Sequence, residues 1–277
     1  MASAALRVVS QSSEEPPTVA EPATGVELRV DWRRLSSRVL LFCLAAQVAF
    51  VLLDYHINYG RLIDVGAMRR LLNIAREDGL ASWFASTQTL LIGLTLLAIY
   101  AVDRSRGYLI LAVAFLYMAV DDGAQLHERF SSTFDAMADR STLAAWFPSY
   151  TWHVLFLPPF AALGLYLLGF LWRKLGRTRP RLLLVTAMVS LATAVALDFF
   201  EGLEEEHPRN VYAAAVSRYP SLDAWSERRF GTAAEETLRH FSKSIEETLE
   251  MGAMSILWFV LLGHLGSVAR DVRLRSG

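Results

Sequence analysis

Long apolar stretches alternate with short polar ones along this chain, and that pattern decides its class before any single residue does. Six stretches, roughly 37–56, 82–102, 107–128, 150–172, 182–203 and 243–267, have the length and composition of membrane spans. A bilayer core about 30 Å thick takes roughly 20 helical residues. Lipid offers the backbone no hydrogen-bond partner, so such spans must be helices. The pattern predicts an all-α polytopic transmembrane helix bundle of about six spans. The first has the shortest purely apolar run; Arg38 at one end, and Asp54, Tyr55 and His56 at the other, extend it with side chains that can reach the interface.

Between the spans the polar segments set the organisation. Residues 1–35, with the cluster Ser12-Ser13-Glu14-Glu15-Pro16-Pro17, are too polar to order themselves and read as a disordered cytoplasmic tail. Residues 36–270 read as a single transmembrane domain, and 271–277 as a second cytoplasmic tail. No basic start followed by a short apolar core and a cleavage site is seen, so no removable secretory signal is expected. Short basic connections precede the first span (Arg33, Arg34, Arg38), join the second to the third (Arg104, Arg106), join the fourth to the fifth (Arg173, Lys174, Arg177, Arg179, Arg181) and follow the sixth (Arg270, Arg273, Arg275). Six alternating spans put them all on one side, which predicts both termini inside and a plasma (inner) membrane location. The outer connections, 57–81, 129–149 and 204–242, are longer, and together with the outer ends of the spans they carry 21 of the 28 acidic residues. Met68 to Arg76 among them reads as an interfacial amphipathic helix.

Composition adds two exclusions. A formal net charge of −1 gives no reason to expect nucleic acid. Cys43 is the only cysteine, so neither an intrachain disulfide nor a cysteine-based metal site is available.

The informative residues are the ionisable ones at the outer ends of the spans. Asp121, Asp122, His127 and Glu128 end the third, His153 begins the fourth, Asp198 and Glu201 end the fifth, and Glu246, Glu247 and Glu250 begin the sixth. A charge at the bilayer interior costs about 2.5–3.5 kcal/mol on insertion scales, so a cluster at that depth faces a cavity, a partner charge or an ion. At 100° per residue, Asp121, Gln125 and Glu128 form one stripe. Asp198, Glu201 and Glu205 form a second, and His240, Lys243, Glu247 and Glu250 a third. Three helices then present polar groups to a common centre. Glu204, Glu205, Glu206 and His207 before Pro208 read instead as a solvated helix end.

Carboxylates and imidazoles together are ligands for zinc, iron or manganese, as one or two ions. The motif signal is sparse: Glu204-x-x-His207 is the one Glu-x-x-His, and no His-x-x-x-His box, serine nucleophile motif or phosphate loop occurs. The inner halves of the spans read as packing or lipid contact, and only Pro158-Pro159 offers a helix break. A one-sided outer pocket suits a metal-dependent membrane enzyme acting on a lipid or lipid-linked substrate. The alternatives are a proton- or cation-coupled transporter or channel, and a non-catalytic membrane subunit.

The run Glu77-Asp78-Gly79-Leu80-Ala81-Ser82-Trp83-Phe84-Ala85-Ser86, followed one span later by Asp121-Asp122-Gly123-Ala124-Gln125-Leu126-His127-Glu128, resembles a group of uncharacterised bacterial multipass proteins. Those combine an acidic-Gly-x-x-x-Trp-Phe-x-Ser approach to one span with an acidic pair and His-Glu in the next. The resemblance covers residues 77–128 and implies that Trp83, Asp121, Asp122, His127 and Glu128 belong to one shared feature. It carries no activity. The second acid of the pair is Asp122 here, where the pattern has Glu.

Overall fold

Helices account for the whole regular structure of the described residues. The computed structural model describes residues 30–60, 62–137, 147, 149–176, 178–203 and 207–269; the side chains of Glu128, Ser131 and 135–137 lie outside that description, as do both tails. The elements are α1 (Trp32–Asp54), α2 (Gly66–Leu71), α3 (Leu80–Asp103), α4 (Arg106–Ala124), α5 (Leu126–Met137), α6 (Thr151–Lys174), α7 (Thr178–Glu201), α8 (Val211–Arg218), α9 (Ser221–Phe230) and α10 (Ala234–Val268). Six of them, α1 with its following turn, α3, α4, α6, α7 and α10, are long and apolar enough to cross a membrane.

The long helix α10 organises the bundle. Its 35 residues span about 52 Å at 1.5 Å per residue, well beyond a bilayer core. It packs against α1, α3 and α7, while α3 pairs with α4 as a tight hairpin. Gly93 permits that hairpin: a Cβ there would meet the Leu116 side chain at 2.9 Å and the Leu116 backbone nitrogen at 3.2 Å. Gly93→Leu is therefore expected to lower stability by about 1–3 kcal/mol through overpacking, read as a fall in melting temperature. The main apolar core, with Leu96, Ile99, Tyr108, Leu111, Leu171, Leu184, Leu257 and Leu261 fully or nearly fully buried, occupies the half of the bundle nearer the basic connections. The other half holds the polar groups.

Several sequence expectations change at the element ends. The third span does not run to residue 128: Gln125 takes a left-handed conformation (φ 53°), ends α4 and turns the chain into α5. The Asp121, Gln125, Glu128 stripe is thus broken, because 3.6-residue periodicity holds only within one helix. The last span begins nine residues earlier than its apolar run, since the amphipathic approach 234–242 is continuous with it. The expected amphipathic helix near 68–76 is the shorter α2, and the chain leaves it by turns before α3. Pro158 and Pro159 do not break α6, which runs through both. The acidic run 204–206 lies outside the described residues.

Candidate metal centre

The start of α6, the end of α7 and the polar first half of α10 meet in one buried cluster. Asp198 and Glu201, three residues apart on α7, share a face. They meet Glu246 of α10, and one carboxylate oxygen from each of the three lies within 4.8 Å of the others. Lys243 is the cation among them: its Nζ is 2.7 Å from Glu246 Oε1, 3.3 Å from Asp198 Oδ1 and 3.7 Å from Glu247 Oε1. The contact with Glu247, its i,i+4 neighbour on the same stripe, is the longest of the three. The second Asp198 oxygen accepts a hydrogen bond from the Trp152 indole N–H at 3.1 Å.

His153 completes the cluster. Its Nδ1 lies 3.3 Å from the Tyr150 carbonyl, which can only accept, so in the neutral ring Nδ1 carries the proton and Nε2 presents its lone pair. That Nε2 is 3.3 Å from Asp198 Oδ2, without hydrogen-bond geometry. A lone pair facing a carboxylate oxygen at this range is repulsive, and either a proton on Nε2 or a metal cation between the two atoms removes the repulsion. Three buried atoms here have no hydrogen-bond partner among the described residues: His153 Nε2, Glu201 Oε2 and Glu246 Oε2. His153 and Glu246 are only 2% and 3% exposed. A buried polar atom left unpaired costs about 1–3 kcal/mol, more when charged, and all three belong to residues beside Asp198.

The surrounding chain holds the cluster in place. Arg239 donates to the carbonyls of Glu201 at 2.6 Å and Leu203 at 3.2 Å, closing the C-terminal end of α7, and is itself held by Glu235. Gly202 lets Ser149 and Tyr150 lie against that end; a Cβ there would strike both. Trp152 stacks on His153 at 4.0 Å, and Phe147 and Phe199 also approach its ring. Burial, then the neighbouring Glu201 and Asp198, pushes the Tyr150 phenol up to about 12, so it remains a hydrogen-bond donor at neutral pH. Arg239→Met removes charge-assisted bonds worth about 1.5–3 kcal/mol. The expected result is a lowered melting temperature and weaker cation binding, since Glu201 loses its anchor.

A second group of acids adjoins the first through Trp152, whose ring edge meets His127 at 5.8 Å. Asp121 accepts from the His127 backbone N–H at 3.0 Å, and its other oxygen pairs with His127 Nδ1 at 2.9 Å. This explains the turn: Asp121 caps the start of α5 while fixing the imidazole. Gln125 donates to Glu77 at 3.1 Å. Asp122, Glu250 and Glu77 are in electrostatic range of one another, and Glu247 and Glu250 link them to Lys243 and Asp198. Of the ten residues expected as ligands, Asp198, Glu201 and Glu246 therefore meet directly, and His153 joins them through Asp198. Glu247, Glu250, Asp122, Asp121 and His127 adjoin them. The Glu128 side chain lies outside the described residues.

Some polar residues here lie where periodicity does not put them. His240 turns from its expected stripe to α1, where its Nε2 is 2.8 Å from Asp54 Oδ2; Asn58 holds the other Asp54 oxygen at 2.8 Å across a π-helical turn. Glu77 lies in a loop and carries no helical phase. The inner halves of the spans are not purely apolar, which corrects the sequence expectation. Gln47 of α1 and Gln88 of α3 both donate to Ser255 Oγ of α10 at 2.7 Å, and Trp258 donates to Thr95 at 3.1 Å. Farther along, Tyr108 meets His264 at 2.6 Å and Lys174 pairs with Asp103 at 3.0 Å. Uncharged Gln, Ser and Thr at single positions do not interrupt an apolar run, so hydropathy passes over them.

One protein family, described as domain of unknown function DUF8692, matches residues 38–265, an interval that reaches into all six spans. Comparison with curated proteins and with solved structures finds no match.

Proposed function

The chain belongs to the DUF8692 family, and we propose that it is a metal-dependent membrane enzyme whose centre is held by Asp198, Glu201, Glu246 and His153 and whose substrate is a lipid or lipid-linked molecule. The observation that carries this reading is the meeting of Asp198, Glu201 and Glu246, one carboxylate oxygen of each within 4.8 Å of the others, with His153 Nε2 3.3 Å from Asp198 and with buried atoms of His153, Glu201 and Glu246 lacking a hydrogen-bond partner among the described residues. Oxygen and imidazole nitrogen suit zinc, iron or manganese. The His153 Nδ1 contact to a carbonyl is the arrangement that fixes a ligating tautomer. Lys243 offsets one of the nearby negative charges, and a divalent ion would offset two more. Such an ion would supply an activated water or a Lewis acid. Tyr150, neutral well above physiological pH, stands beside it as a hydrogen-bond donor. The centre lies at the ends of the spans, where the polar part of a lipid reaches.

In this reading the acidic end faces outward from a plasma (inner) membrane, and both termini are inside. Reporter fusions at residues 30, 140, 176, 220 and 277 are expected to give in, out, in, out, in. A reversed pair among them would contradict the arrangement.

Proton- or cation-coupled transport is the second reading. It is favoured by the polar contacts that continue along α10, from Lys243 through Ser255 and Trp258 to His264. Titrating the metal-free protein with zinc, iron or manganese separates the two. A bound ion displaces protons from its ligands and raises the melting temperature. If neither occurs and proteoliposomes take up protons, transport is the function.

A further inference from the structure

We propose that the end of α1 remote from the acidic cluster is a specific binding site for an anionic phospholipid, with its phosphate on Arg38 and Arg33 and an acyl chain in the crevice between α1 and α3. A cavity of about 610 Å³ lies there, open on one side, lined by Val39, Phe42 and Phe50 of α1, by Phe84 and Leu91 of α3 and, at its floor, by Trp258 of α10. That volume is in the usual range for small-molecule sites, about 300–1,000 Å³. Its walls are almost wholly apolar, and its one charged lining residue is Arg38.

Arg38 also lines a second, polar cavity, with Asp31, Arg33, Arg34 and Ser37. The two cavities thus share one arginine, with charge on one side of it and hydrocarbon on the other. Asp31 is already engaged: it caps α1 through the Arg34 backbone N–H and pairs with the Arg34 guanidinium at 3.2 Å. Arg33 and Arg38 form no ion pair among the described residues. A guanidinium recognises phosphate oxygens through paired N–H donors. From Arg38 to Phe50 the groove runs about 18 Å along the helix, close to the reach of one leaflet. A free phosphate has no use for such a groove, and a neutral acyl chain has none for the arginines; a phospholipid uses both. Its chain would fill the gap that α1 leaves beside α3. This site is independent of the metal reading.

The test is native mass spectrometry of the full chain in detergent with equal amounts of diacyl phosphatidylglycerol and phosphatidylcholine. Preferential retention of phosphatidylglycerol is expected. Arg33→Gln with Arg38→Gln is expected to weaken it about fivefold per arginine removed, near 25-fold in all. Thr87→Trp, a substitution at an exposed position on the rim, is expected to abolish chain retention by filling the groove. Melting temperature and metal content report separately on folding and on the acidic centre. Equal retention of the two lipids overturns the proposal, as does unchanged retention in both variants. Displacement of the lipid by glycerol phosphate alone would show a phosphate site without a chain and would also overturn it.

Discussion

Protein carrying Lys243→Met, with metal withheld, unfolds at a markedly lower temperature than the unaltered chain, equivalent to a loss of about 3–5 kcal/mol. Among the described residues, Lys243 is the one lysine or arginine in contact with Asp198, Glu246 and Glu247, at 3.3, 2.7 and 3.7 Å. Methionine keeps the apolar stem and removes the charge, leaving buried carboxylates facing one another. The same substitution is expected to strengthen binding of a divalent ion, because the ammonium no longer competes for Glu246 and Asp198. Added zinc or manganese should therefore restore much of the lost stability. Thermal unfolding with and without metal checks both halves. A purely structural cluster would show the loss with no recovery.

Asp198→Asn gives the second large effect. Asparagine preserves the shape of the side chain that accepts from Trp152 and faces His153, but it withdraws the charge beside Glu201 and Glu246. Metal affinity is expected to fall at least about 100-fold, beyond what loss of an outer-shell partner produces. Any metal-dependent activity falls with it. The metal-free form should unfold no lower than the unaltered protein, since an excess negative charge has been removed. Asp64→Asn, at a side chain 98% exposed, should change neither quantity. Isothermal titration on the three proteins measures the difference.

Hydropathy located the six spans because backbone satisfaction in lipid demands long apolar helices, and the ends of α3, α6 and α7 fall within a few residues of where the pattern put them. The end of α4 was not legible. Gln125 adopts a left-handed conformation that stands out in sequence only for glycine or asparagine, and Asp121 rewards the turn through a contact to His127 that no periodicity encodes. Asp198 and Glu201 were legible as a pair on one face of α7. That they meet Glu246 and His153, rather than lipid, depends on helix rotation set by packing. Beside His153 the Trp152 indole covers the imidazole and turns its N–H to Asp198, an arrangement that no spacing in the sequence encodes. The Gln47, Gln88 and Ser255 contact was invisible for another reason. Each residue is neutral and isolated within an apolar run, and only the tertiary approach of α1, α3 and α10 joins them.

The central claim is that the cluster at Asp198 is a ligand set, and elemental analysis of protein purified without chelator tests it most directly. The account predicts zinc, iron or manganese at a stoichiometry of one or two per chain, lost in Asp198→Asn and Glu246→Gln and retained in Asp64→Asn. Protein that carries no stoichiometric metal, and whose melting temperature is indifferent to all three ions, would contradict it.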